Sequence, residues 1–105
     1  MNYRFVVCTF PDVEVARNVT RQLVEEQLVA CGNILPGAES IYRWQGVVET
    51  ASEVVVFYKT TEAAYPALET RLKALHPYEV PEILALPIEG GFAGYLGWVA
   101  ENVKA

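Results

Sequence analysis

Apolar residues crowd the start of the chain from Tyr3 to Thr9, and their aromatic and β-branched character predicts a first strand. Pro11-Asp12 ends that run. Apolar residues then recur at Ala16, Val19, Leu23 and Val24, the spacing of one helix face, and Asp12 stands where it can cap the helix start. From Val29 to Trp44 the pattern is extended again, with an interruption at Pro36-Gly37 that suits a bulge or a sheet edge. Gln45-Gly46 signals a short turn, after which Val47 to Thr60 runs back as the second arm of a long hairpin. Within that arm Val54-Val55-Val56-Phe57-Tyr58 is apolar at every position, as expected of a central strand covered on both faces.

A second helix follows, with Thr60-Thr61 at its start, Pro66 in its first turn, and Leu68, Leu72 and Leu75 at i, i+4, i+7. Glu82 to Ile88 predicts the last strand, and Gly90-Gly91 breaks the chain before a terminal helix with Leu96, Val99, Ala100 and Val103 on one face. Gly97 weakens that helix by about 1 kcal/mol relative to Ala, which close packing against another chain would explain. The order βαββαβ with a C-terminal helix is the α+β, ferredoxin-like arrangement, in one domain spanning 1–105. On this reading the last strand lies antiparallel to the first, and the first and third run parallel side by side. The end of strand one (Cys8, Thr9), the end of strand three (Lys59, Thr60) and the joint from His76 to Pro81 would then share one end of the sheet.

Composition adds an assembly. A chain of 105 residues that is 52% hydrophobic, with six tyrosines, four phenylalanines and two tryptophans, carries more apolar surface than one small core hides. Its net charge of -5, with only eight Lys and Arg, excludes a nucleic-acid partner. No apolar stretch approaches the ~20 residues that span a bilayer, and the run at Phe5 to Phe10 is too short for a signal segment. A cytoplasmic protein with no membrane partner is expected, and Cys8 and Cys31 should be reduced thiols.

The segment Leu75-His76-Pro77-Tyr78-Glu79-Val80-Pro81-Glu82-Ile83 holds the only histidine between a helix end and a strand start, in a joint stiffened by two prolines. Together with Leu28-Val29-Ala30-Cys31, Asn33-Ile34-Leu35-Pro36-Gly37, Ser40-Ile41-Tyr42-Arg43-Trp44 with Gly46, and Lys59-Thr60-Thr61, this segment resembles the CutA divalent-cation-tolerance family. The resemblance runs from about Val7 to Trp98. It implies a cytoplasmic protein with a ferredoxin-like subunit that assembles as a homotrimer and is linked to copper and other divalent metals. Copper-binding members of that family use a cysteine and a histidine at positions matching Cys8 and His76.

The residues themselves point the same way, since a thiolate and an imidazole are ligands that copper and zinc prefer. Two ligands do not close a site, and Glu79 and Glu82 would complete a set only by folding back. The competing reading makes Cys8 a small core residue and His76 a cap on the terminal carbonyls of its own helix. Cys31 lacks a C-x-x-C partner and reads as packing, although Gly32 beside it is smaller than the resemblance leads one to expect. The Tyr42-Arg43-Trp44 tip reads as an intersubunit contact, with a ligand platform as its alternative.

Lys59, close to a helix start, offers an anion site. Enzyme readings lack their parts: carboxylates follow strand one where an acylphosphatase would present arginine, and no oxyanion hole or orienting group accompanies Cys8 and His76. No catalytic or cofactor-binding residues are therefore assigned. The expected function is divalent-cation tolerance with weak copper binding at Cys8 and His76. The alternatives are a trimeric module, like the PII signalling proteins, that holds a small anionic ligand between subunits, and a structural scaffold.

Overall fold

Residues 2–104 are described by a computed structural model. Alternation along β1 (Tyr3–Phe10) puts Val6, Cys8 and Phe10 on one face, where all three are fully buried. The chain then turns into α1 (Val13–Glu25), whose start is held by Asp12: the carboxylate accepts from the Val15 N–H at 2.9 Å. Ala16, Val19 and Leu23 bury themselves against the sheet as the spacing predicts. Val24 does not; it is 39% exposed, and Thr20 takes the remaining inward position one turn before it.

The end of α1 was not legible. Gln27 adopts φ 59°, Leu28 donates to the Leu23 carbonyl at 3.0 Å and Gln27 to the Val24 carbonyl at 3.0 Å. This is a Schellman closure with glutamine in the left-handed position that glycine usually fills.

β2 (Cys31–Trp44) and β3 (Val47–Thr61) form the long hairpin, joined by Gln45 and Gly46, both with positive φ, as a tight hairpin turn requires. The register slips between Leu35 and Ala38, so the bulge falls at Pro36-Gly37 as expected. α2 (Tyr65–Leu75) buries Leu68 and Leu72 and carries Pro66 in its first turn. The Thr61 hydroxyl accepts from the Ala64 N–H in the turn that leads into it. β4 (Ile83–Ile88) completes a four-stranded sheet in the order β2-β3-β1-β4, and α3 (Ala93–Glu101) follows, anchored by the buried Val99. Val103 lies past its end.

Two expectations need correction. β1 pairs antiparallel with β3 as well as with β4, with Cys8 opposite both Val56 and Ile83. The reason is topological. A helical crossover makes β1 and β2 parallel, and the hairpin then reverses β3 against both. Lys59 and Thr60 accordingly pair with Phe5 and Arg4, at the opposite end of the sheet from Cys8.

The second correction concerns coverage. Val54, Val56 and Tyr58 are buried under the helices, but Val55 and Phe57 alternate onto the other face and are only half-buried. Phe5 and Val7 share that face, with the Phe5 and Phe57 rings 4.9 Å apart. So do Leu84 and Leu86, which are 56% and 46% exposed. The chain thus has one closed sheet face and one open apolar face.

Candidate metal centre and the adjoining cleft

His76 stands immediately after α2 with extended backbone, φ -76° and ψ 136°, the conformation imposed by Pro77. Its own N–H closes the helix by donating to the Leu72 carbonyl at 3.0 Å. The imidazole does not cap that helix. It reaches across to β1, where Nε2 lies 2.7 Å from the Thr9 carbonyl, while Nδ1 lies 3.1 Å from the Tyr78 N–H. A backbone N–H can only donate, so Nδ1 is the acceptor and Nε2 carries the proton. Phe10 stacks on the ring at 4.7 Å and Tyr78 packs at 4.8 Å. With only 8% of the residue exposed, burial pulls the His76 pKa below its ordinary value, against the partial opposition of the Thr9 carbonyl and Glu53.

Cys8 meets the same carbonyl. Its Sγ donates to the Thr9 oxygen at 3.8 Å, and the side chain is fully buried. Burial pushes the thiol up to about 12, with Glu82 and Glu53 adding to the rise. The two sequence-predicted ligands therefore converge on one backbone oxygen, Cys8 as the thiol and His76 as the neutral imidazole. Among the described residues no three His, Cys, Asp or Glu side chains gather into a set that would close around a metal ion. Glu79 and Glu82 are exposed and face a neighbouring cleft.

That cleft, of about 810 Å³, lies between the hairpin and the Pro77–Glu82 joint. Tyr78 is its fixed element: the phenol donates to Glu53 at 2.8 Å, and burial together with that carboxylate raises its pKa. Tyr42 and Trp44 form part of the wall and remain 43% and 41% exposed. Arg43, between them, turns back to donate to the Gly46 carbonyl at 3.3 Å.

Lys59 serves neither place. At the far end of the sheet it donates to the Asn33 side chain, and Cys31 in the strand beside it contacts the Tyr95 hydroxyl at 3.4 Å. Cys8 and Cys31 are both free thiols. The small size of Gly32 is explained by Tyr58, since a Cβ there would come within 2.9 Å of the ring and 2.8 Å of the Thr20 methyl.

Sequence reasoning missed Thr9, which acts through a backbone carbonyl and leaves no trace in side-chain identity. It also missed the pairing of Tyr78 with Glu53. Tyr78 lies inside the proline-flanked joint, but its partner is 25 residues away on another strand.

Comparison with known proteins places this geometry. Residues 4–102 match the family model described as CutA1 divalent ion tolerance protein. The divalent-cation tolerance protein CutA of Thermus thermophilus is 56% identical over 97 residues, covering 92% of this chain and 94% of that protein. Protein CutA of Mus musculus is 45% identical over 101 residues, which is 96% of this chain but 56% of the mouse protein. Among solved structures, the Thermus thermophilus protein superposes with a TM-score of 0.94 at 53% identity, covering 97% of this chain and 99% of that one. CutA1 from Oryza sativa gives 0.96 at 39% identity, covering 99% and 95%. Similarity of this extent in both sequence and structure establishes that the chain belongs to the CutA1 divalent ion tolerance family.

Proposed function

We propose that this protein acts in divalent-cation tolerance as a homotrimer and binds copper weakly through Cys8 and His76. The observation that carries the metal reading is the convergence of the thiol and the imidazole on the Thr9 carbonyl. Weakness follows from the same geometry. A metal ion has to displace the Cys8 proton, which burial holds tightly, and has to take Nε2 away from its hydrogen bond to Thr9. An ion that prefers sulfur and nitrogen is favoured over magnesium or calcium. A cytoplasmic setting would keep Cys8 and Cys31 reduced and able to bind metal, and among the described residues no helix is long and apolar enough to cross a membrane.

The trimer rests on the open sheet face. Phe5, Val7, Val55, Phe57, Leu84 and Leu86 form an apolar layer on one side of the sheet, and further copies of the chain would cover it. An anionic ligand in the hairpin cleft gains no support from this protomer, because Lys59 is at the other end of the sheet.

The test is copper binding followed spectroscopically in the parent, Cys8→Ser and His76→Ala proteins. Binding lost in both variants supports the pair, and equal binding by all three leaves His76 as a structural tie and Cys8 as core.

A further inference from the structure

We infer, resting on the metal reading proposed above, that His76 is a latch on Tyr78 and that ligation of the imidazole releases it, freeing the Pro77–Glu82 joint from the end of α2. The thiol and imidazole that meet at the Thr9 carbonyl suit a soft ion. Yet both ring nitrogens are already engaged: Nε2 donates its proton to Thr9 at 2.7 Å, and Nδ1 accepts the Tyr78 N–H at 3.1 Å. A neutral imidazole has one ring proton and one free lone pair, and only a lone pair ligates. Here that lone pair is the one that holds Tyr78.

Both ways of ligating the ring therefore break the same hydrogen bond. For Nε2 to share an ion with Cys8, its proton has to leave to water, and a ring that stays neutral takes one up at Nδ1. Nδ1–H then points at the Tyr78 N–H, donor against donor. Ligation through Nδ1 uses the lone pair directly and displaces Tyr78 as well. A ligating histidine normally gives its other N–H to a carbonyl or carboxylate, and the amide facing Nδ1 is neither.

Tyr78 carries the change outward. Its ring packs on the imidazole at 4.8 Å and its phenol donates to Glu53 of β3 at 2.8 Å, so one residue links the end of α2 to the long hairpin. Both contacts are made within one chain, whatever covers the hairpin in an assembly.

The test uses copper(I), a diamagnetic ion that takes sulfur and nitrogen ligands, at about pH 8, where the ring is neutral. His76 is the sole histidine, so its ring-nitrogen resonances report ligation, and hydrogen exchange of the Tyr78 amide reports the latch. Exchange at Tyr78 should quicken at least about tenfold as the ring is ligated. Two variants probe the latch without metal. His76→Asn puts an oxygen near the place of Nδ1 and should keep the amide protected. His76→Gln puts its amide nitrogen near the place of Nε2, and Tyr78 should exchange at least about tenfold faster than in the parent. A ligated ring with Tyr78 still protected overturns this inference alone, as does equal exchange in the two variants. A ring that copper(I) leaves unligated overturns the metal reading and the coupling with it, and the ring resonances tell the two failures apart.

Discussion

The imidazole of His76 donates from Nε2 to the backbone carbonyl of Thr9 at 2.7 Å, tying the end of α2 to the end of β1 across 67 residues of sequence. That bond and the Tyr78 N–H donating to Nδ1 together fix the neutral tautomer with the proton on Nε2, and burial of the ring makes stability depend on pH. Burial lowers the folded-state pKa below the ordinary 6.5, so the unfolded chain takes up a proton at a pH where the folded protein does not. The contribution is fully present above about pH 6.5 and is lost as pH falls through that value toward the folded pKa. Denaturant unfolding from pH 8 to pH 5 should show falling stability in the parent and a flatter profile in His76→Gln. Glu26 and Glu62, whose partners lower their pKa values from 4.5, contribute only at more acidic pH.

Removing the tie outright should cost more than its titration. His76→Ala deletes a buried hydrogen bond and the stack on Phe10, and leaves the Thr9 carbonyl without that partner. A loss of about 2–4 kcal/mol is expected from the midpoint of a urea transition.

Gly32→Ala should destabilise by about 1–3 kcal/mol, because the added carbon strikes a rigid ring and a buried methyl that have no room to retreat. Tyr58→Phe in the same background retains the ring and therefore should not rescue it. Thermal unfolding of the two single variants and the double variant checks this.

Gln27→Gly should act in the opposite direction. The left-handed turn after α1 is already formed, and glycine occupies it without the strain of a Cβ. A gain of about 0.5–1 kcal/mol is expected after subtracting the entropy that glycine adds to the unfolded chain. The readout is the denaturant midpoint at constant slope.

Phe57→Glu places a charge in the middle of the open apolar face without touching the buried one. Sedimentation of the parent should give three times the 11.7 kDa subunit mass, and the variant should give a smaller species. A parent that sediments as a monomer would remove the trimer, and a variant trimer as stable as the parent would move its interface elsewhere.

Element order was legible because hydrophobic period changes at each boundary, and the prolines and glycines marked those changes. The Asp12 cap, the bulge at Pro36-Gly37 and the Gln45-Gly46 turn all follow from local backbone chemistry. Strand direction does not. The period of a strand is the same whichever way its neighbour runs, and the mistaken parallel pairing of β1 with β3 carried Lys59 to the wrong end of the sheet. At the site, the cysteine and histidine stood out by their chemistry. The carbonyl that gathers them, and the Glu53 that holds Tyr78, depend on tertiary register that no single stretch of sequence encodes.

The position of β1 has a consequence for how the chain reaches this state. β1 is made before both of its partners, yet it lies inside the sheet, and β3 and β4 come from later parts of the chain. Until Ile83–Ile88 has emerged, one edge of the strand carrying Phe5, Val6 and Val7 remains unpaired. Pairings so distant in sequence slow folding, and an apolar edge left open during synthesis is prone to stray association. A truncated chain ending before β4 should therefore engage holding chaperones far longer than the full chain does.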